Sequence, residues 1–157
     1  MIELDVLDHH IEKAKVKSED MGRLTNSIRN GEGNLCGFIG EAVLEEYLGA
    51  KEANTYDYDL ILPNGKTVDV KTKLSKMKPL SYYVCSVAAF NTKQKCDYYA
   101  FVRVNTDLTK AWFLGMIDKK DYFTEAELLK KGDKDGDNGY IVRADCYNLP
   151  IQDLPSP

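Results

Sequence analysis

The sequence predicts a mixed α/β domain, with a mixed central β-sheet flanked by helices. Three observations carry this. A helical stretch runs from Asn34 to about Leu48. A Pro63-Asn64-Gly65 turn signal separates two short apolar runs. Strand-like and helical segments then follow in the order β, β, β, a short helical piece, β, β, α, β. Helices and strands alternate incompletely, which favours a mixed sheet over a purely parallel one.

Taken in order, residues 2–30 predict helix, with Ile2, Val6, Ile11 and Ala14 set among many charges and interrupted at Gly22 and at Asn30-Gly31-Glu32-Gly33. Asn34 is a suitable N-cap for the next helix and Gly49 a suitable stop. Leu35, Ile39, Ala42, Val43 and Glu46 fall on one side of it at 100° per residue, and Glu41 projects from the edge of that face. Gly37 and Gly40 lower helix stability and suit close packing against another element. Tyr56–Leu62 and Thr67–Leu74 predict the two strands of a hairpin, and Tyr82–Ala88 a third strand. Phe90–Cys96 predicts a short helix or loop, Tyr98–Val104 a strand, Asn105–Thr109 a turn and Ala111–Ile117 a strand. A helix is expected from Asp118 or Asp121 to near Lys131-Gly132, then a last strand over Tyr140–Ala144 and a frayed tail, Leu154-Pro155-Ser156-Pro157.

The 157 residues suit one domain, divided into an N-terminal helical region (1–33), a core (34–104) and a sheet extension with a C-terminal helix (105–157). A composition 43% hydrophobic and 29% charged fits a water-exposed globular chain rather than a disordered one. There is no apolar run of membrane-spanning length, and the acidic start, Met1 to Asp8, lacks signal-peptide character, so a cytoplasmic location is expected. Cys36, Cys85, Cys96 and Cys146 are widely spaced and predict small buried residues rather than a zinc site. His9 and His10 are expected at the surface or as capping residues. Asp133-Lys134-Asp135-Gly136-Asp137-Asn138-Gly139 imitates the start of a calcium loop, but the sixth and twelfth positions are Asn138 and Ala144 where Gly and Glu are required.

The net charge of −4 argues against a nucleic-acid binder until its distribution is considered. Residues 60–104 hold eight basic and two acidic groups, whereas both flanking regions are net acidic. A local basic surface matters more for phosphate contact than the overall sum.

The candidate chemistry centres on Glu41, Asp59, Asp69 and Lys71. Asp69 and Lys71, two apart on a strand, share a face, and Asp57, Asp59 and Ile61 share a face of the preceding strand. Carboxylates so placed suit a hard divalent cation, and a lysine beside them can hold a water or stabilise developing negative charge. Asp57 competes with Asp59 for its role, and Glu45, one turn on, competes with Glu41.

An acid on a helix, an acid on a strand, a tight turn and then acid-x-Lys, in that order, resembles the PD-(D/E)XK nuclease superfamily with its restriction-endonuclease-like fold. The matching residues are Glu41 in Gly37-Phe38-Ile39-Gly40-Glu41, Asp59 in Tyr58-Asp59-Leu60, and Asp69-Val70-Lys71. Tyr58 stands where the family motif has Pro. The resemblance covers the central half of the chain, residues 34–104, and implies a helix, a three-stranded meander, a helix and a further strand. It implies an endonuclease dependent on Mg²⁺, with Mn²⁺ as a substitute. Asp59, Asp69 and the Val70 carbonyl would be the ligands, Glu41 would bind directly or through water, and Lys71 would act on the attacking water. DNA is the expected nucleic acid and a 5′-phosphate the expected product. Lys73, Lys76, Lys78, Gln94 and Lys95 are candidate nucleic-acid contacts, with Asn26–Arg29 and Asn30–Gly33 as a wall of the cleft. A homodimer is a plausible assembly and no membrane partner is expected. The alternative is a catalytically inactive nucleic-acid- or protein-binding module on the same fold.

Overall fold

The computed structural model describes residues 1–22, 32–53, 55–134 and 139–157, with side chains outside 21–34. The hairpin organises its centre. Strands β3 (Leu60–Ile61) and β4 (Thr67–Ser75) pair antiparallel, with Leu60 opposite Val68 and Ile61 opposite Thr67. At the turn, the Leu62 N–H donates to the Lys66 carbonyl and the Gly65 N–H to the Leu62 carbonyl, each at 2.8 Å. Gly65 has φ +84° and Asn64 does not have a positive φ. The Asn-Gly pair therefore makes a three-residue loop closed by a left-handed glycine, not the two-residue turn in which both residues are left-handed.

The main sheet has the order β1-β7-β6-β4-β3-β2. Its further strands are β1 (Ile2–Asp5), β2 (Lys51–Glu52), β6 (Tyr98–Asn105) and β7 (Lys110–Asp118). The β4–β6 pair is parallel and the other pairs are antiparallel, so the sheet is mixed. A smaller antiparallel sheet has the order β5-β9-β8, from β5 (Val84–Ala88), β8 (Glu127–Leu129) and β9 (Cys146–Pro150). The third strand of the expected meander is thus present but leaves the main sheet, and a 3-10 turn, Ala89–Lys93, leads back to β6.

Alternation along the strands separates two cores. Val68 and Val70 of β4 join Ala100, Val102 and Val104 of β6 in a cluster covered by helices α1 (Asp8–Gly22) and α2 (Glu32–Leu48). Tyr99 and Phe101 enter the other cluster, with Cys85 and Val87 of β5, Leu149 of β9 and Tyr122 of helix α3 (Lys119–Glu125). The Tyr122 hydroxyl lies 2.9 Å from the Cys85 carbonyl and 2.8 Å from the Tyr147 carbonyl, so a buried phenol ties α3 to the smaller sheet.

Several expected boundaries differ. Residues 2–5 form a strand, not a helix: Ile2 and Leu4 pack inward and Glu3 and Asp5 outward, a period of two. Glu3 accepts from Trp112 Nε1 and Asp5 pairs with Lys110 of β7. The α2 helix begins at Glu32, so Asn34 is inside it rather than its cap. It ends as expected before Gly49, at φ +63°. Helix α3 stops at Glu125, because Glu127–Leu129 pair with β9, and that pairing overrides the helical preference of residues 127–131. Asp118 is its N-cap, accepting from the Lys120 and Asp121 N–H groups. Instead of a strand over Tyr140–Ala144, only Ile141 makes a bridge, to Lys134. Leu154 is buried against Gly115, so the tail is anchored there rather than frayed. The four cysteines are free, three of them fully buried. Residues 23–31, which include Asn26–Arg29, and residues 135–138 of the calcium-loop imitation lie outside the described residues.

Gly40 and Gly37 differ in function within α2. A Cβ at Gly40 would sit 2.0 Å from Thr72 Oγ1 and 3.0 Å from Thr72 Cβ on β4, whereas one at Gly37 would meet nothing within 4 Å. Thr72 is short and β-branched, so it cannot swing aside. Gly40→Ala is therefore expected to destabilise the fold by about 1–3 kcal/mol through overpacking. Gly37→Ala should be neutral or stabilising by up to ~1 kcal/mol through helix propensity. Urea denaturation of the two variants checks this contrast.

Candidate active site

The hairpin does not bring its two acids together by simple strand alternation. In register, Val70 would face Tyr58, and the Val70 N–H would donate to a strand carbonyl. Instead β3 begins only at Leu60, Asp59 lies in a bend before it, and its carboxylate Oδ2 accepts the Val70 N–H at 2.7 Å. The Asp59 N–H donates to the Val68 carbonyl at 2.9 Å. The acid thereby substitutes for backbone at the edge of β4 and is fixed beside Asp69. The Val70 carbonyl leaves the strand on the same edge as its N–H, past the end of the β3 ladder.

Asp69 is buried. Its Oδ1 accepts from Gln94 Nε2 at 3.0 Å, and its Oδ2 forms an ion pair with Lys71 Nζ at 2.7 Å without accepting a directed hydrogen bond. Gln94 is also buried, donates to the Tyr56 carbonyl at 3.0 Å and accepts from Lys71 Nζ at 3.4 Å. Gln94 therefore faces the acids and fixes both the carboxylate and the lysine. Lys71 Nζ lies 5.8 Å from the centre of the Tyr99 ring, which stiffens its approach from the other side.

Glu41 reaches this group from α2, one residue after the glycine that packs on Thr72. It is nearly buried, and Lys17 of α1 donates to its Oε2 at 2.8 Å. Lys17 also pairs with Glu52 at 3.0 Å. Lys17 was not anticipated from the sequence. Its only local signal is a charge within an amphipathic helix, and its partner lies 24 positions away.

Both rivalries left open by the sequence are separated by geometry. Asp57 accepts the Lys95 N–H at 3.0 Å and Glu45 pairs with Lys13 at 2.5 Å, so each is engaged elsewhere. Asp59 and Glu41 instead share an electrostatic environment with Asp69. Lys73, Lys76, Lys78 and Lys95 are exposed, and Lys73 Nζ donates to Ser86 Oγ on β5 at 2.9 Å.

The electrostatics follow from burying three acids in one place. Burial, then repulsion from Glu41 and Asp69, pushes Asp59 up to about 8, against the stabilising Val70 N–H. Burial raises Glu41 against the pull of Lys17, and raises Asp69 against the pull of Lys71. Such a group disfavours its own full ionisation and gains from a positive ion. The buried Asp69 Oδ2 without a directed donor, the paired acids and the adjacent carbonyl edge are a donor set of hard oxygens that fits Mg²⁺ or Mn²⁺.

Among the described residues, the one group of three side chains whose ligand atoms all lie within 4.8 Å of one another is His9, His10 and Glu46; Glu41, Asp59 and Asp69 are not gathered that tightly. It is a poor metal site. The Leu7 N–H donates to His10 Nδ1 at 3.0 Å, which leaves the ring proton on Nε2, facing Glu46. A proton on Nε2 blocks that nitrogen as a ligand. His10 acts as the expected capping residue but is buried, while His9 is exposed.

Compared with known proteins, the chain matches no protein-family model and no curated sequence. No described helix is long and apolar enough to cross a membrane.

The raised acids give the metal-free protein a definite pH response. A carboxyl whose folded pKa is raised binds its proton more tightly in the folded state, so its stabilising effect is complete below the unfolded value. For Asp59 that contribution is lost as pH rises from about 4 towards about 8. In EDTA, thermal unfolding should show Tm falling across this window. Asp59→Asn should flatten the fall and be the more stable form at pH 8. A wild-type Tm that rises from pH 5 to 8, with no difference in the variant, is the contrary result.

Proposed function

We propose that the protein is a metal-dependent endonuclease that hydrolyses phosphodiester bonds, most plausibly in DNA, with a restriction-endonuclease-like core. One observation carries this reading: Glu41, Asp59 and Asp69, from a helix, a bend and a strand, are buried within one another's field with Lys71 ion-paired to Asp69. Binding modules have no use for buried carboxylates facing a phosphate, and a purely structural core would replace them with apolar groups at lower cost.

In this reading Asp59, Asp69, the Val70 carbonyl and Glu41 would hold Mg²⁺, with Mn²⁺ as a substitute. The ion would supply Lewis-acid polarisation of the phosphate and a lowered pKa for a bound water. The chain's own residues account for the rest. Gln94 fixes the Asp69 carboxylate through Oδ1 and so leaves Oδ2 directed at the site. Lys71, restrained by Gln94 and the Tyr99 face, holds the attacking water or the developing oxyanion. Lys17 offsets the Glu41 charge in the metal-free protein and would be released from it as positive charge arrives. The exposed lysines that follow on the chain, Lys76 and Lys78, are available to neighbouring phosphates.

Topology supports the reading in part. A helix, a hairpin with acid-x-Lys on its second strand and a parallel fourth strand (β6) are present. The third strand's departure to the smaller sheet differs from a simple meander.

Incubation with labelled duplex, nicked, forked and four-way DNA should give cleavage with Mg²⁺ or Mn²⁺ and none with EDTA. Asp69→Ala and Lys71→Ala should each lower the rate by at least about 100-fold. Unchanged cleavage by both variants would rule the mechanism out, and metal-independent binding unaffected by Asp59→Ala would favour an inactive binding module.

A further inference from the structure

Beyond the acid cluster, a concavity lies further along β4, between the main and smaller sheets. It has a volume of about 660 Å³, a size typical of small-molecule sites. Its lining includes three cations, Lys73, Arg103 and Arg143, and three tyrosines, Tyr82, Tyr83 and Tyr140. Among the described residues no carboxylate lines it. In a chain with 25 acidic and 21 basic residues, charged lining that is cationic throughout the described residues is a local selection of charge.

The groups are ordered rather than scattered. Arg103 donates to the Val84 carbonyl at 2.9 Å, and its guanidinium lies 5.9 Å from the Tyr83 ring centre. Tyr82 meets Tyr83 edge-on at 5.2 Å, leaving Tyr82 half exposed. Lys73 donates to Ser86 Oγ, which in turn donates to Asn148 Oδ1 at 2.6 Å, so the polar floor spans β4, β5 and β9. Tyr140 and Arg143 rise from the segment before β9 and are exposed.

The concavity adjoins a depression that extends to Lys71, the ion-pair partner of Asp69. Lys73, Ser86 and Arg103 also line a smaller depression that includes Lys71. Lys71 and Lys73 lie two residues apart on one face of β4, about 7 Å at strand rise. A strand held in the concavity would run along β4 towards Lys71, which pairs with Asp69.

We propose that this concavity is a binding subsite for an unpaired nucleotide of a nucleic-acid strand. The tyrosine faces stack a base, and Lys73, Arg103 and Arg143 hold the phosphates on either side of it. Base stacking on aromatic rings requires a base released from its pair, so an unpaired strand fits where an intact duplex does not. The inference deepens the nuclease reading, on which it rests for the strand's route to Asp69, by assigning a substrate form: single-stranded, flapped or locally melted nucleic acid.

The test uses the full chain in EDTA, where cleavage is blocked, and a fluorescein-labelled single strand of about 12 nucleotides. Anisotropy should show this strand binding about tenfold more tightly than the matching blunt duplex. Tyr82→Ala and Tyr140→Ala, both at exposed rings, should each weaken strand binding about tenfold. Arg143→Ala should lower the slope of log K against log salt by about 0.7. Equal binding of strand and duplex, Tyr variants that bind like the wild type, or a free mononucleotide that binds as tightly as the strand would each overturn the subsite. Tyrosine-dependent strand binding together with no cleavage of any DNA in Mg²⁺ would leave the subsite standing and sink the nuclease reading. Cleavage by a wild type whose Tyr82→Ala and Tyr140→Ala forms bind and cut identically would do the reverse.

Discussion

The contact of Gly40 with Thr72 is the constraint on which the site depends. It lets α2 lie closer to β4 than any side chain at position 40 would allow. Both partners are one residue from the candidate site: Glu41 follows Gly40, and Lys71 precedes Thr72. The approach that seats the helix on the sheet therefore also sets the distance between the helical acid and the strand that carries Asp69 and Lys71. Thr72 Oγ1 is buried without a hydrogen-bond partner there, a cost of roughly 1–3 kcal/mol that close packing must offset. The cores on the two faces of the sheet hold this geometry rigid, the helical cluster through Val68 and Val70 and the other through Tyr99 and Tyr122.

Three acids placed so close are unstable unless positive charge is supplied. Lys17 and Lys71 provide it locally, each within 2.8 Å of a carboxylate oxygen. The two lysines are not equivalent. Lys71 is held on the same strand as Asp69, between Gln94 and Tyr99, and cannot leave the site without breaking those contacts. Lys17 is on α1 and pairs with Glu52 as well as Glu41. If a cation took over Glu41, Lys17 would still keep its pair with Glu52. In the proposed reading, this differential restraint favours Lys71 for the chemistry and Lys17 for the balance of charge.

The elements that carry the site were legible in the sequence where local chemistry dominates. The Asn64-Gly65 turn, the Thr67 to Leu74 alternation, the Gly49 stop and the Asp69-Val70-Lys71 spacing follow from short-range rules, and the structure reproduces each. Two of the failures share one cause, tertiary pairing. Residues 127–129 prefer helix alone but join β9, and Ile2 to Asp5 become an edge strand because β7 offers a partner. The choice of Asp59 over Asp57 was illegible for the same reason. Face alternation treats the two acids alike, and only the late start of β3, with Val70 bonded to the Asp59 carboxylate, separates them. Lys17 was hidden because sequence distance conceals a pairing between two packed helices.

Charge distribution shows how local and global readings differ. The net charge is negative, yet the face of β4 beyond Asp69 bears Lys71 and Lys73, and Arg103 lies beside them on β6, in register with Lys73. Antiparallel pairing on one side and parallel pairing on the other align residues distant in sequence into one stripe. The stripe begins at the acid cluster and ends among tyrosines, so any polyanion drawn along it moves from a region that repels phosphate unless a cation is present to one that attracts it. If the proposed function holds, metal occupancy would do more than activate water: it would remove the repulsive end of the path, coupling entry of the strand to readiness for hydrolysis.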